Sequence, residues 1–203
     1  MPFLDRLRPH WHGILAAGVS ALIGWLTFIA NQTVPILDRF DLAIHETGHL
    51  LAAFMPEVVM FFAGSVAQVA FPLAMAWYFG FKRNEYAAAG FCLAWAGTSA
   101  WDVSVYAADA TTQALPLIGG GTHDWAWILG RFNALDRTEQ VAGFIEATGA
   151  LLLLMGIVVA LWPRQSDEAP DVSRIAVAAA LPVRSPRAIA GDPWGSDLPK
   201  DAA

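Results

Sequence analysis

Four long apolar runs constrain this chain more than any other feature: WHGILAAGVSALIGWLTFIA (11–30), VVMFFAGSVAQVAFPLAMAWYFGF (58–81), YAAAGFCLAWAGTSAWDVSVYAA (86–108) and VAGFIEATGALLLLMGIVVALW (141–162). A bilayer core is crossed by ~20 apolar helical residues, and backbone groups inside it must be paired within the segment, which selects helices. The composition agrees. The 203 residues are 56% hydrophobic and 15% charged, whereas soluble domains carry about 25% charge. The first run is longer than the apolar region of a cleavable signal peptide and ends in Asn31-Gln32 rather than a small-x-small site, so a retained span is expected. Trp11 and Trp25 suit near-interface positions. The expected fold is therefore an all-α polytopic membrane helix bundle in contact with the lipid bilayer. A net charge of −6, without any basic cluster interleaved with aromatics, argues against nucleic acid as a partner. Cys92 is the single cysteine and has no intramolecular disulfide partner; a packed core role is expected for it.

Between the first two runs lies DRFDLAIHETGHLLAAFM (38–55), which contains His45, Glu46 and His49 in the H-E-x-x-H pattern. In a helix, residues four apart share a face, so two imidazoles can converge on one Zn²⁺ while Glu46 faces a water on the metal. With five histidines and six glutamates in 203 residues, the pattern arises by chance in about 0.004 of such chains. Pro35 precedes it, Asp38 can cap the helix with Asp41 in its first turn, and the apolar run continues to Pro56, all fitting a helix. Packing of polar side chains within a membrane bundle is the plainer alternative.

This short helix decides the topology. If it enters and leaves on one side, four spans remain, and Arg6, Arg8, Lys82, Arg83 and Arg164 fall in the cytoplasm with both chain ends. That agrees with the positive-inside tendency, whereas a crossing helix moves Lys82, Arg83 and Arg164 outside. The non-crossing arrangement also gathers Ser65, Ser99, Asp102, Tyr106, Asp109, His123 and Glu146 on the side where the H-E-x-x-H helix dips in, the cheaper placement for polar groups at membrane depth. The expectation is four spans plus one embedded H-E-x-x-H helix, a spanning helix being the alternative. Residues 1–162 form the bundle, with an extramembrane loop at 109–140. Residues 163–203, rich in Pro, Ala, Asp and Arg, have too little apolar patterning to pack and are expected to be a disordered tail.

A catalytic zinc site has three protein ligands, so His45 and His49 need a third. Asp102 is the first candidate. It shares a helix face with Tyr106 and Asp109, and its alternative role is a hydrogen bond to the far nitrogen of a ligand histidine. His123, after the Gly119-Gly120-Gly121 run and before Asp124, is the rival ligand. Asp41, four residues before His45, either orients that imidazole or caps the helix. Gly48 allows close approach of another helix or of a substrate. Glu146, deep in the last run, is expected to position water or substrate or to bond a neighbouring helix.

HETGH on a membrane helix, followed by Asp102 on a later one, resembles the site-2-protease-like class of intramembrane zinc metallopeptidases over residues 40–110. The resemblance implies hydrolysis of a peptide bond in a peptide or membrane-protein substrate, within or beside the bilayer. Metzincins fit less well, since Ala52 and Met55 stand where that pattern needs glycine and histidine. Haem ligation would need histidines on facing helices, and His45 and His49 share one. The functional expectation is a membrane-embedded zinc-dependent hydrolase, a metallopeptidase with Glu46 as general base. The alternative is a non-enzymatic membrane metal-binding or structural subunit that retains the H-E-x-x-H scaffold.

Overall fold

The computed structural model describes residues 11–117 and 121–163. Within them all regular structure is helical. The helices are α1 (Trp11–Gly24, continued by a π-helical stretch Trp25–Ile29), α2 (Pro35–Leu51), α3 (Glu57–Trp77, continued by Tyr78–Lys82), α4 (Tyr86–Ala108), α5 (Asp124–Arg131) and α6 (Thr138–Ala160, entered through Leu135–Arg137). The expected disordered tail, Pro163 excepted, and Gly119-Gly120 of the glycine run lie outside the described residues.

Helix ends follow local chemistry. Pro35 opens α2 with Asp38 in its first turn, a proline at the start costing no helical hydrogen bond. Pro56 caps α3 from an extended backbone. Asn31, Asn84 and Asn133 follow α1, α3 and α5 with left-handed φ of 49°, 52° and 51°, a conformation asparagine tolerates better than most residues.

Three helical stretches are long and apolar enough to cross a membrane: Trp11–Ile29, Glu57–Lys82 and Leu135–Ala160. They carry exposed Leu22, Trp25, Phe71, Leu151 and Leu154. The fourth expected run, α4, is a helix of 23 residues but not among them. Its composition, with Thr98, Ser99, Asp102 and Ser104, is less apolar, and its surroundings accommodate that. Fourteen of its residues are buried, because α1, α3 and α6 all pack on it. A helix sheltered in this way can carry Thr98, Ser99, Asp102 and Ser104 where a lipid-facing one would not.

The α4–α6 seam is the tightest contact. Gly90 faces Gly156 and Ala160, and Gly97 faces Gly149 and Leu153. That order makes the two helices antiparallel, and the absent side chains let the backbones touch. Along α1, Gly13 meets Ala160 and Gly24 meets Leu153, so α1 runs parallel to α4. Phe71 against Trp95 and Gln68 bonded to Asp102 set α3 antiparallel to α4. The end of α1 and the beginning of α3 therefore lie at one end of the bundle. The helix α2 leaves and rejoins at that same end.

Candidate metal centre

The glycine at position 48 seats α2. A Cβ there would clash with the Ala63 carbonyl and reach Ala67 at 2.8 Å, so Gly48 serves close packing of α2 on α3. Asp41, two turns earlier on nearly the same face of α2, is buried and accepts hydrogen bonds from Trp95 Nε1 (2.9 Å) and Ser99 Oγ (2.8 Å). Its bonds go to α4 rather than to His45, and they tie the start of α2 to the bundle's centre.

With α2 held by α4 at Asp41 and by α3 at Gly48, His45 and His49 turn inward. Their Nε2 atoms are 3.0 Å apart. Asp124 Oδ2 lies 3.1 Å from each of them. These three residues form the one group among the described residues whose side chains could hold a metal ion. The fit can be tested by geometry. Three donors on ~2.0–2.1 Å bonds to a tetrahedral ion stand about 3.3 Å apart, within a few tenths of the observed separations.

The surroundings pass the same test. His45 Nδ1 is 3.1 Å from Gln68 Oε1, and His49 Nδ1 is 2.8 Å from the Met60 carbonyl. Both partners are acceptors, so each ring is held with hydrogen on Nδ1 and a lone pair on Nε2, the form that ligates. Gly64 faces both rings. A Cβ there would stand 2.6 Å from His45 Nε2 and clash with His49 Nε2, so its absence lets both rings sit against the α3 backbone.

Asp124 arrives from α5, a helix inside the segment read as loop from the sequence. Four contacts fix it. His123 caps α5, its Nδ1 accepting from the Ala126 N–H at 3.2 Å. The Asp124 N–H donates to the Tyr106 hydroxyl (3.2 Å), and Trp125 Nε1 donates to Ser65 Oγ (3.2 Å). Phe61 and Trp127 stack at 4.2 Å between ring centroids. The aspartate side chain is thereby delivered over the two histidines.

The other residues singled out by sequence fall into place around this group. Asp102 stands one step behind His45, accepting from Gln68 Nε2 at 2.7 Å. His123 is fully buried and stacked on Tyr106 at 4.2 Å. Its Nε2 points toward Asp109 Oδ2 at 3.5 Å, away from any bond to the His45–His49–Asp124 group. Glu46 is exposed on α2. Glu146 is exposed on α6. Asp109, just past α4, is opposed by desolvation, but hydrogen bonds from Thr112 Oγ1 and the Leu115 and Ala114 N–H groups outweigh it and hold its carboxyl below the usual range.

Two participants were missed by sequence reasoning. Asp124 stands out in the sequence only as a neighbour of His123, although it opens the short helix DWAWILGR. Gln68 is a polar residue in an otherwise apolar run, four positions after Gly64 and three after Ser65, and that shared face was the available signal. No family model, curated protein or solved structure matches the chain.

Proposed function

We propose that this protein is a membrane-embedded zinc-dependent hydrolase, a metallopeptidase acting on a peptide or membrane-protein substrate, in keeping with the resemblance of HETGH to site-2-protease-like enzymes. The observation that carries the proposal is the convergence of His45 Nε2, His49 Nε2 and Asp124 Oδ2 at 3.0–3.1 Å, with both Nδ1 atoms against acceptors. Two neutral imidazoles and a carboxylate are a donor set suited to zinc that leaves a fourth position for reaction. A zinc ion bound there would acidify a water and polarise a carbonyl.

The chain's own residues supply the rest. Glu46 follows His45 directly and is exposed rather than paired into the bundle, so its carboxylate is available to take a proton from an attacking water and return it to the leaving amine. Gly64 lets the α3 backbone lie directly against the two donor atoms. The proposed topology has four crossings, with α4 as the fourth, both chain ends in the cytoplasm and the centre opening toward the opposite side. Support comes from the return of α2 to the end of the bundle it left, and from the sheltered position of α4.

The test uses the full chain purified in detergent. Wild type and Glu46→Gln are expected to retain about one zinc per chain, and His45→Ala and Asp124→Ala to lose it. In proteoliposomes carrying a library of transmembrane peptides, new termini detected by mass spectrometry should appear with wild type and not with Glu46→Gln. Cleavage that survives Glu46→Gln removes the mechanism. Zinc bound by wild type without cleavage favours the non-enzymatic metal-binding subunit.

A further inference from the structure

His49 and His45 are oriented by different means. The Met60 carbonyl that accepts from His49 Nδ1 is part of the α3 backbone, and no side chain sets it. His45 instead faces a side-chain amide, which can in principle present either its oxygen or its nitrogen. Behind that amide stands Asp102, whose Oδ2 is 2.7 Å from Gln68 Nε2.

The hydrogen bonds of the three groups run in one order. The Gln68 amide turns its N–H toward Asp102, whose carboxyl oxygen Oδ2 accepts it. Its oxygen then faces His45 Nδ1 at 3.1 Å. An amide oxygen only accepts, so Nδ1 carries the hydrogen, and Nε2 of the neutral ring is left with the lone pair aimed at His49 and Asp124. Were the amide reversed, its N–H would face Nδ1 and drive the hydrogen to Nε2, where it blocks ligation.

We infer that Gln68, locked by Asp102, is a positioning residue that sets the tautomer of His45 and so makes it a metal ligand. This rests on the metal-centre reading above. It also assigns the α4 aspartate a role through an intermediary on α3, with His45, Gln68 and Asp102 linking α2, α3 and α4 in one chain of hydrogen bonds.

Co²⁺ is the probe, added to the full chain in detergent. Its affinity is read from optical titration, and the Nδ1–H protons of ligand histidines are read as exchangeable, paramagnetically shifted NMR signals. Wild type should give two such signals. Gln68→Leu removes the acceptor; the His45 signal should vanish through fast solvent exchange, the His49 signal should remain, and affinity should fall about 10–100-fold. The double change Gln68→Glu with Asp102→Asn exchanges carboxylate and amide, keeps an acceptor on Nδ1 and a donor behind it, and should restore both signal and affinity. Circular dichroism of the metal-free variants separates misfolding from this effect. If Gln68→Leu does not fold, the exchanged pair decides: a folded double variant that lacks the His45 signal overturns the proposal. Wild-type affinity and both signals in Gln68→Leu overturn it while leaving the metal centre standing. Wild type that takes up no Co²⁺ overturns both.

Discussion

The seam between α4 and α6 and the seat of α2 are built on opposite principles. Along the seam, four glycines let two backbones meet, and nothing polar is asked to hold them. The seat of α2 relies on Gly48 for approach and then on a handful of directional bonds, from Trp95 and Ser99 to Asp41 and from the two histidines to Gln68 and Met60. Close packing between helices is insensitive to protonation and metal, whereas directional bonds respond to both. The fold and the candidate centre should therefore fail separately.

The largest effect should come from the seam. In Gly97→Leu, the new Cβ would lie 2.6 Å from the Gly149 carbonyl oxygen and 2.7 Å from the Leu153 nitrogen. Both obstacles are backbone, so the helices must part, at the upper end of the overpacking cost or beyond, about 3 kcal/mol or more. Thermal unfolding of the detergent-purified chain should show a collapse of stability with metal present or absent. A variant as stable as wild type would mean that the seam does not carry the fold.

Gly64→Ala should reverse the pattern. Its Cβ would stand 2.6 Å from His45 Nε2, and the ring, a side chain, can swing away at modest cost to the bundle. Metal affinity should drop about 10–100-fold, the range for disturbed support of a ligand, while metal-free stability stays near wild type. Equal loss of both properties would erase the distinction between the two regions.

Asp41→Ala sharpens the comparison on the α2 side. It leaves Trp95 Nε1 and Ser99 Oγ buried without their acceptor, a cost of about 1–3 kcal/mol. Hydrogen exchange should accelerate in α2 and remain slow along α4 and α6. Uniform acceleration would show that α2 and the seam unfold as one unit.

How much of this was legible beforehand follows the same division. Apolar length revealed helices along all four runs, because it is a local property. That α4 is the enclosed one was not legible, since burial depends on which helices surround it; its Thr98, Ser99, Asp102 and Ser104 were the trace of that shelter. HETGH put two Nε2 atoms on one face of α2 by helical spacing alone. The carboxylate that meets them, Asp124, comes from a segment whose glycine run and mixed polarity read as loop, and its delivery depends on Tyr106, Ser65 and Phe61 from two other helices. Periodicity tells which residues share a face, but not what that face will meet. Gln68 illustrates the limit, for its orientation is decided by Asp102, 34 positions later.

The smallest effect should come from Asp109, which belongs to neither region but anchors the segment leading to Asp124. Its carboxylate accepts from Thr112 Oγ1 at 2.6 Å and from the Ala114 and Leu115 N–H groups at 2.9 Å each. These bonds favour the ionised form and lower its pKa in the folded chain. A lowered pKa stabilises the fold fully above the unfolded aspartate value of about 3.9, and that contribution is lost as pH falls through the folded value. Asp109→Asn keeps one acceptor oxygen and cannot ionise, so it should cost about 1 kcal/mol at neutral pH. The difference in unfolding temperature between wild type and variant should be constant above pH ~5 and shrink below pH ~4. A difference that holds at low pH would mean that the anchor works through shape rather than charge.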